Sequence, residues 1–338
     1  MKTQILTKRQ TNVAADIIKS GGIVALPTET VYGLGANALD PSAVEKIFKA
    51  KGRPSDNPLI VHISEFDEIY SLVKEIPTNA KKLVDVFWPG PLTIILPRTA
   101  IVPNIVTANL DTVAIRLPSH PIMREVIKLS KVPIAAPSAN ISGKPSPTKF
   151  SHVFNDMNGK IDAILDGGDC SVGLESTVIT FALDTPKLFR PGKITVEQIE
   201  KVIGKIEVDK AVLEGVKAGQ IASSPGMKYK HYAPNAKIII LDCNRNKYIN
   251  YVNSKASAEV AALCYEGDEK DLNVLAITYG KEYEYEIMAK LFFDALRKID
   301  TMKNIKTVYA RCPNPQGVGL ALYNRLIRAA GFEVQKID

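Results

Sequence analysis

"DPSAVEKIFKAKGRPSDNPLIVHI", residues 40–63, reads as a helix that is stopped and then feeds a buried strand. Asp40 has the short acceptor side chain of an N-cap. Pro41 suits the first helical position, where its missing N–H costs nothing, and Gly52 can take the left-handed turn that ends a helix. The apolar run Leu59 to Ile63 is too short for a helix and has the length of an inner strand. Such a helix-to-strand unit belongs to an α/β or mixed α+β fold. The connection carries more chemistry than a turn requires. Lys51, Arg53, Asn57 and His62 crowd around Gly52, Pro54 and Pro58. The helix dipole accounts for Lys51 at a C-terminus, but it leaves Arg53 and Asn57 without a task.

The same alternation extends in both directions. "TNVAADIIKSGG" is an amphipathic helix closed by Gly21 or Gly22, and "IVALP", "LTIILP", "VAIRLP", "PIAAP", "AILD" and "TVITF" are strands. This first domain is expected to span residues 1–206. Residues 207–236 break the pattern with Gly215, Gly219, Pro225, Gly226 and Pro234, as a linker does. Its second half, "SPGMKYKHYAP", is richer in aromatic and hydrogen-bonding side chains than a plain spacer, so it is expected to be ordered against something. From 237 to 338 the pattern resumes as strand, helix, strand, strand, long helix, strand, helix, strand, a compact Rossmann-like unit.

The bulk properties narrow the function classes. A chain of 338 residues favours two domains. No stretch approaches the roughly 18 apolar residues of a membrane span, and Cys170, Cys243, Cys264 and Cys312 form no CxxC pair. A membrane role, a disulfide framework and a zinc site are therefore not expected, and a reducing cytoplasm is. The net charge of +7 raises nucleic acid as a partner. Its spread argues otherwise: residues 1–206 hold 24 basic and 20 acidic side chains, and 237–338 hold 15 and 13. A backbone binder concentrates its charge, so stable nucleic-acid binding is not expected.

Two glycine motifs are set aside. "GLGANA", residues 33–38, is separated from its strand by "PTETVY", and "GVGLAL" lacks the third small residue, so neither makes a dinucleotide fingerprint. The informative clusters are polar. "PTETVYGLG" brings Thr28, Glu29, Thr30 and Tyr32 past a strand end, where open sheets bind ligands. "APSANISGKPSPT" gathers Ser138, Asn140, Ser142, Gly143 and Ser146, and "LESTVI" with "LFRPG" adds Ser176, Thr177 and Arg190. Arg116 sits inside an apolar strand and needs an anion, either a structural carboxylate or a substrate carboxylate. His62, also within a strand, is by itself more often a satisfied core or half-exposed histidine than a catalytic one. No acidic cluster marks a two-metal site. Lys51, Arg53, Arg116 and Arg190 among hydroxyls and amides suit a polyphosphate plus a carboxylate, with catalysis by positioning and charge stabilisation.

These residues resemble the paired KxR and SxN signature of the YrdC-like family, here Lys51-x-Arg53 and Ser138-x-Asn140. "PTETVYGLG", "NPLIVHI", "WPGPLT", "AIRLP", "APSAN", "LESTV" and "RPG" follow the family in order. The linker and trailing domain are similar to the long, two-domain form of the threonylcarbamoyl-AMP synthases. The resemblance implies an open twisted sheet with a positively charged cavity. It implies an enzyme, a nucleotidyltransferase that joins L-threonine, bicarbonate and ATP into threonylcarbamoyl-adenylate and releases pyrophosphate. The product would feed a separate tRNA threonylcarbamoyl transferase system. Lys51 and Arg53 would be the catalytic cations. They would hold the nucleotide with Asn57, Thr112, Ser138, Asn140, Ser146, Arg190 and Tyr232. Thr30, His62, Arg116 and Ser176 would receive threonine. Magnesium would arrive with ATP, held by phosphate and water. The unstable carbamate calls for a cover, and His231 with Tyr232 are expected to supply a lid. The competing reading is an RNA-binding module that uses the basic cavity without catalysis; it would lay its cations along a face rather than in a cleft.

Overall fold

The computed structural model describes residues 2–214 and 232–337. Two sheets organise it. The first has eleven strands: β1 Gln4–Thr7, β2 Val24–Leu26, β3 Gly33–Asn37, β4 Ile60–His62, β5 Leu92–Pro97, β6 Thr112–Arg116, β7 Ile134–Ala135, β8 Ala163–Asp166, β9 Thr177–Thr180, β10 Lys187–Arg190 and β11 Glu207–Val208. Their order is β1-β8-β2-β3-β7-β4-β6-β5-β9-β10-β11, mixed parallel and antiparallel. The sheet is open and twisted, as expected.

The opening stretch folds as its residues dictate. Asp40 accepts the Ser42 N–H at 2.9 Å, Pro41 opens the helix Pro41–Lys51, and Gly52 closes it at φ 60° and ψ 38°. Ala43, Val44, Ile47 and Phe48 pack that helix into the core with Leu34, Val61 and Ile115. Each such side chain contributes about 1.5–3 kcal/mol when fully buried.

"GLGANA" is a strand rather than a loop. Gly33–Asn37 pairs antiparallel with β2 and β7. Gly35 is required there, because a Cβ would lie 2.9 Å from the Ile134 side chain. The large sheet also continues into the stretch that the sequence assigns to the linker. β11 pairs parallel with β10, and Ala211 and Val212 are buried in the short helix Ala211–Glu214.

The second sheet is wholly parallel: β12 Lys237–Asp242, β13 Val260–Cys264, β14 Leu275–Thr278, β15 Thr307–Arg311 and β16 Val334–Lys336. Its order, β14-β13-β15-β12-β16, makes a small α/β unit. The helices Tyr285–Thr301 and Val318–Ala329 carry its contacts to the first domain. Arg297 donates to Pro145 O at 2.6 Å and to Asp156 at 2.9 Å, and Asp294 meets His152 at 3.1 Å. The approach is close: a Cβ on Gly173 would lie 2.4 Å from Lys290 Cα.

Candidate functional site

The centre of the large sheet is thin. β7 has two residues and β4 has three, paired as Val61 with Ala135 and His62 with Ile134. A cavity spans both ends of β4, with Pro58, Leu59 and Ile60 on one side and His62 on the other. Segments from four separate connections wall it: Thr28–Val31, Lys51 with Arg53, Ala136–Gly143, and Glu175–Ser176 with Arg190. Tyr232, just beyond the undescribed residues, also lines it.

Most residues singled out from the sequence meet here. Lys51, Arg53, Ser138, Asn140, Arg190, Tyr232, Thr30, His62, Arg116 and Ser176 all line the cavity. Three do not. Asn57 is buried just behind, where its carbonyl accepts Arg53 Nη2 at 3.0 Å. Ser146 lies one step back and donates to Glu175 Oε1 at 2.5 Å. Thr112 sits at the far end of β6 opposite Pro97 and is not a lining residue. His231 lies outside the described residues.

The cations differ in what they do. Lys51 Nζ is buried and donates to the Ser138 and Asn140 carbonyls, the latter at 2.7 Å. It therefore ties the SAN turn to the end of its own helix. Burial, with help from Arg53, pushes its ammonium pKa well down. Arg53 is half-exposed and bonds the Asn57 and Pro58 carbonyls. Arg190 donates to Ser176 O at 2.9 Å and Ser176 Oγ at 3.1 Å. Burial and then Arg325 lower it to about 10, so it stays charged at neutral pH.

Of the two anions that the sequence left open for Arg116, the structural carboxylate is present. Its Nη2 pairs with Glu29 Oε1 at 2.7 Å and its Nη1 donates to Thr30 Oγ1 at 2.9 Å. Burial raises the Glu29 pKa, but Arg116 more than reverses it and keeps the carboxyl ionised. The structural carboxylate is thus in place, and Arg116 still faces the cavity beside Thr30. His62 is held neutral: burial first, then Arg116, lowers it to about 3. It is too weak a base to take a proton from an amine at pH 7. Of the lining side chains, His62 Nδ1 and Asn140 Oδ1 are buried without a hydrogen-bond partner. Buried polar atoms are nearly always satisfied, so this wall is shaped for a polar ligand.

Sequence reasoning passed over Glu175 and Thr93. Thr93 Oγ1 meets Ser176 Oγ at 2.7 Å, and Glu175 is buried in the cavity wall. Glu175 stood next to Ser176 in "LESTVI", but nothing local marked it as buried. Among the described residues no group of three His, Cys, Asp or Glu side chains is placed to hold a metal ion. Glu29 and Glu175 are each paired with an arginine, Arg116 and Arg325.

Comparison with known proteins gives a consistent picture. The Sua5/YciO/YrdC family model, described as telomere recombination, matches residues 16–192, and the model for the C-terminal domain of threonylcarbamoyl-AMP synthase matches 194–331. The threonylcarbamoyl-AMP synthase of Pyrococcus abyssi is 47% identical, with 96% of this chain and 95% of that protein covered. That of Bacillus subtilis is 46% identical over 95% and 93%. The crystal structure of P. abyssi Sua5 complexed with L-threonine superposes with a TM-score of 0.91 at 43% identity, covering all of both chains. E. coli YciO matches 56% of this chain and 96% of its own, with a TM-score of 0.51 at 25% identity.

Proposed function

The chain belongs to the threonylcarbamoyl-AMP synthase family, and from that premise we propose that it joins L-threonine, bicarbonate and ATP into threonylcarbamoyl-adenylate and pyrophosphate in this cavity. The observation that carries the site assignment is convergence. Lys51 with Arg53, Arg116 and Arg190 come from three separate parts of the sequence and line one cleft. An RNA-backbone binder would instead spread them over a face.

In this reading the threonine carboxylate pairs with Arg116 and its hydroxyl meets Thr30, His62 or Ser176. The triphosphate lies along Arg53 and Arg190, while Lys51 fixes the Ser138–Asn140 turn against the nucleotide. ATP enters as its magnesium complex, with the ion held by phosphate oxygens and water. Bicarbonate loses water on protonation to give carbon dioxide; the neutral threonine amine bonds its carbon as one C=O bond opens, and the nitrogen releases a proton to solvent, leaving a carbamate. A carbamate oxygen bonds the α-phosphorus as the bond to the bridging oxygen breaks, and pyrophosphate takes the electron pair. Arg53 and Arg190 offset charge building on the phosphates. No side chain is assigned as general base, since His62 is held neutral and is only weakly basic. Tyr232 in the cavity wall limits water, which a carbamate does not survive for long. The product would pass to a transferase that modifies tRNA. No described helix is long and apolar enough to cross a membrane, and a cytoplasmic site of action fits the free cysteines.

The test is incubation with ATP, L-threonine, bicarbonate and magnesium. Threonine-dependent pyrophosphate release is the expected result; release that ignores threonine, or none, overturns the reading.

A further inference from the structure

The second domain reaches deepest into the first through Arg325, on the helix Val318–Ala329, whose side chain is fully buried. Its Nε donates to Glu175 Oε2 at 2.8 Å and its Nη1 to Pro191 O at 2.8 Å. Nη1 also meets Asn324 Oδ1 at 2.8 Å, and Nη2 lies 3.4 Å from Glu175 O. The second oxygen of Glu175 accepts the Ser146 hydroxyl at 2.5 Å. Glu175 precedes Ser176, and Pro191 follows Arg190. One arginine from the far domain thus holds the neighbours of three candidate ligand-binding residues.

The charge arrangement needs this partner. Glu175 is a buried carboxylate in the wall of a cavity built for anions. Burial raises its pKa, yet Arg325 and then Arg190 pull it below the usual carboxylate value, so the group is ionised. Left alone it would repel phosphate and draw Arg190 away from Ser176, because a buried charge without a counter-charge takes the nearest one. As an ionised carboxylate Glu175 only accepts hydrogen bonds, so the Ser146 proton is committed to it.

We propose that Arg325 is a positioning residue of the site: it balances Glu175, which Ser146 braces from behind the wall, and so keeps Arg190, seated on Ser176, in the arrangement that receives the nucleotide. The second domain then completes the electrostatics of the cavity and is more than a tether. A plain interdomain latch would serve equally well with any group that filled the space. This inference rests on the reading of the cavity as a nucleotide and amino-acid site.

The experiment uses the full chain and measures KM and kcat by pyrophosphate release in wild type, Arg325→Met, Glu175→Gln and the double variant, with melting curves for each. Wild type without threonine-dependent release would overturn the functional reading itself and leave this inference without its premise. With wild type active, Arg325→Met should raise KM for ATP at least about tenfold, since it leaves the carboxylate unbalanced. Removing both charges should restore KM to within about threefold of Glu175→Gln alone, the coupling expected of a contacting pair. A double variant as impaired as Arg325→Met would make Arg325 a latch only, and wild-type KM in Arg325→Met would remove it from the site. Should Arg325→Met fail to fold, Arg325→Lys gives the same decision. Set beside Arg325→Gln, which fills the space without the charge, it keeps the charge: a KM near wild type in Arg325→Lys with a KM raised at least about tenfold in Arg325→Gln supports charge balance, and equal KM values in the two refute it.

Discussion

Arg311 in the second sheet and Arg190 in the cavity are both buried arginines at the ends of strands, and their surroundings treat them in opposite ways. Arg311 donates to Asp268 at 3.1 Å and to Glu282 at 2.9 Å, and lies 4.4 Å from the centre of the Tyr265 ring. Arg245 joins the same cluster through Asp268 at 2.8 Å and Asp271 at 2.6 Å. Burial lowers the Arg311 pKa, but Asp268 and Glu282 reverse it and leave it raised. Arg190 donates to the carbonyl and hydroxyl of Ser176, and burial with Arg325 leaves it lowered. Lys51 follows Arg190: its ammonium meets two carbonyls and its pKa is depressed. Where carboxylates outweigh cations, the cluster is finished and structural. Where cations crowd one another more than carboxylates offset them, as Arg190 and Arg325 do, an anionic ligand is the favoured occupant.

The comparison is broken most directly in the second sheet. Arg311→Met removes the inner charged partner of Asp268 and leaves that buried carboxylate with Arg245 at 2.8 Å and the Tyr265 N–H at 3.2 Å, so the full cost of an unpaired charge is the ceiling. Breaking a buried pair from one side costs about 3–5 kcal/mol, so urea unfolding should shift by up to that amount. KM for ATP and for threonine should not move. A changed KM would show that the second cluster also serves the reaction.

Arg53→Ala is the converse. Its named bonds go to two loop carbonyls at 3.0 and 3.4 Å, so the fold should lose little. Loss of a charge-assisted phosphate contact should cost about 1.5–3 kcal/mol of transition-state stabilisation, roughly ten- to a hundred-fold in kcat/KM. Wild-type kinetics with a lowered melting point would make Arg53 a loop staple instead.

The positive field also predicts a pH dependence. His62 titrates near 6.5 when unfolded and at about 3 in the fold, through burial and Arg116. Between those values the unfolded chain binds a proton that the folded chain refuses. Stability is therefore complete above pH 6.5 and falls as the pH drops toward 3, by about 1.4 kcal/mol per pH unit for one proton. His120 and His152 are lowered in the same direction, so the measurement is a difference. Unfolding free energies of wild type and His62→Gln from pH 7 to 4 should converge as the pH falls. Parallel curves would mean that His62 is not held neutral.

Much of this was legible in the sequence, and what was hidden shares a cause. The helix caps Asp40, Pro41 and Gly52 act over two or three residues, so their chemistry can be read directly. The KxR and SxN turns converge because short strands precede or follow them. β3 was masked, since glycines at 33 and 35 erase the alternation that marks a strand. β1, β10 and β11 are short and carry charged or polar residues. Glu175 and Arg325 are 150 residues apart, and no local pattern states such a partnership. Thr112 and Ser146 were placed in the site by resemblance, whereas the cavity wall includes Glu175 and leaves both of them outside it.

The smallest effect concerns Gly52, which the sequence offers as a helix stop and which also sits between Lys51 and Arg53 of the cavity wall. Its φ of 60° is left-handed, and a Cβ there would meet nothing within 4 Å. Only backbone strain opposes a side chain, about 1–2 kcal/mol, partly offset by the loss of roughly 0.4–1 kcal/mol of unfolded-state freedom. Gly52→Ala should thus lower stability by a net of about 1 kcal/mol or less, and Gly52→Asn by less again, because asparagine tolerates this conformation. Gly52 N–H to Lys49 O at 3.3 Å and Arg53 N–H to Phe48 O at 3.0 Å fix where the loop leaves the helix. Both variants retain those bonds, so Arg53 keeps its place and KM for ATP should be unchanged. Thermal melts and ATP titrations on the two variants decide it. If Gly52→Ala melts like wild type yet loses ATP affinity, the glycine is there for the ligand, and the loop belongs with the cavity's positive field more closely than its capping geometry indicates.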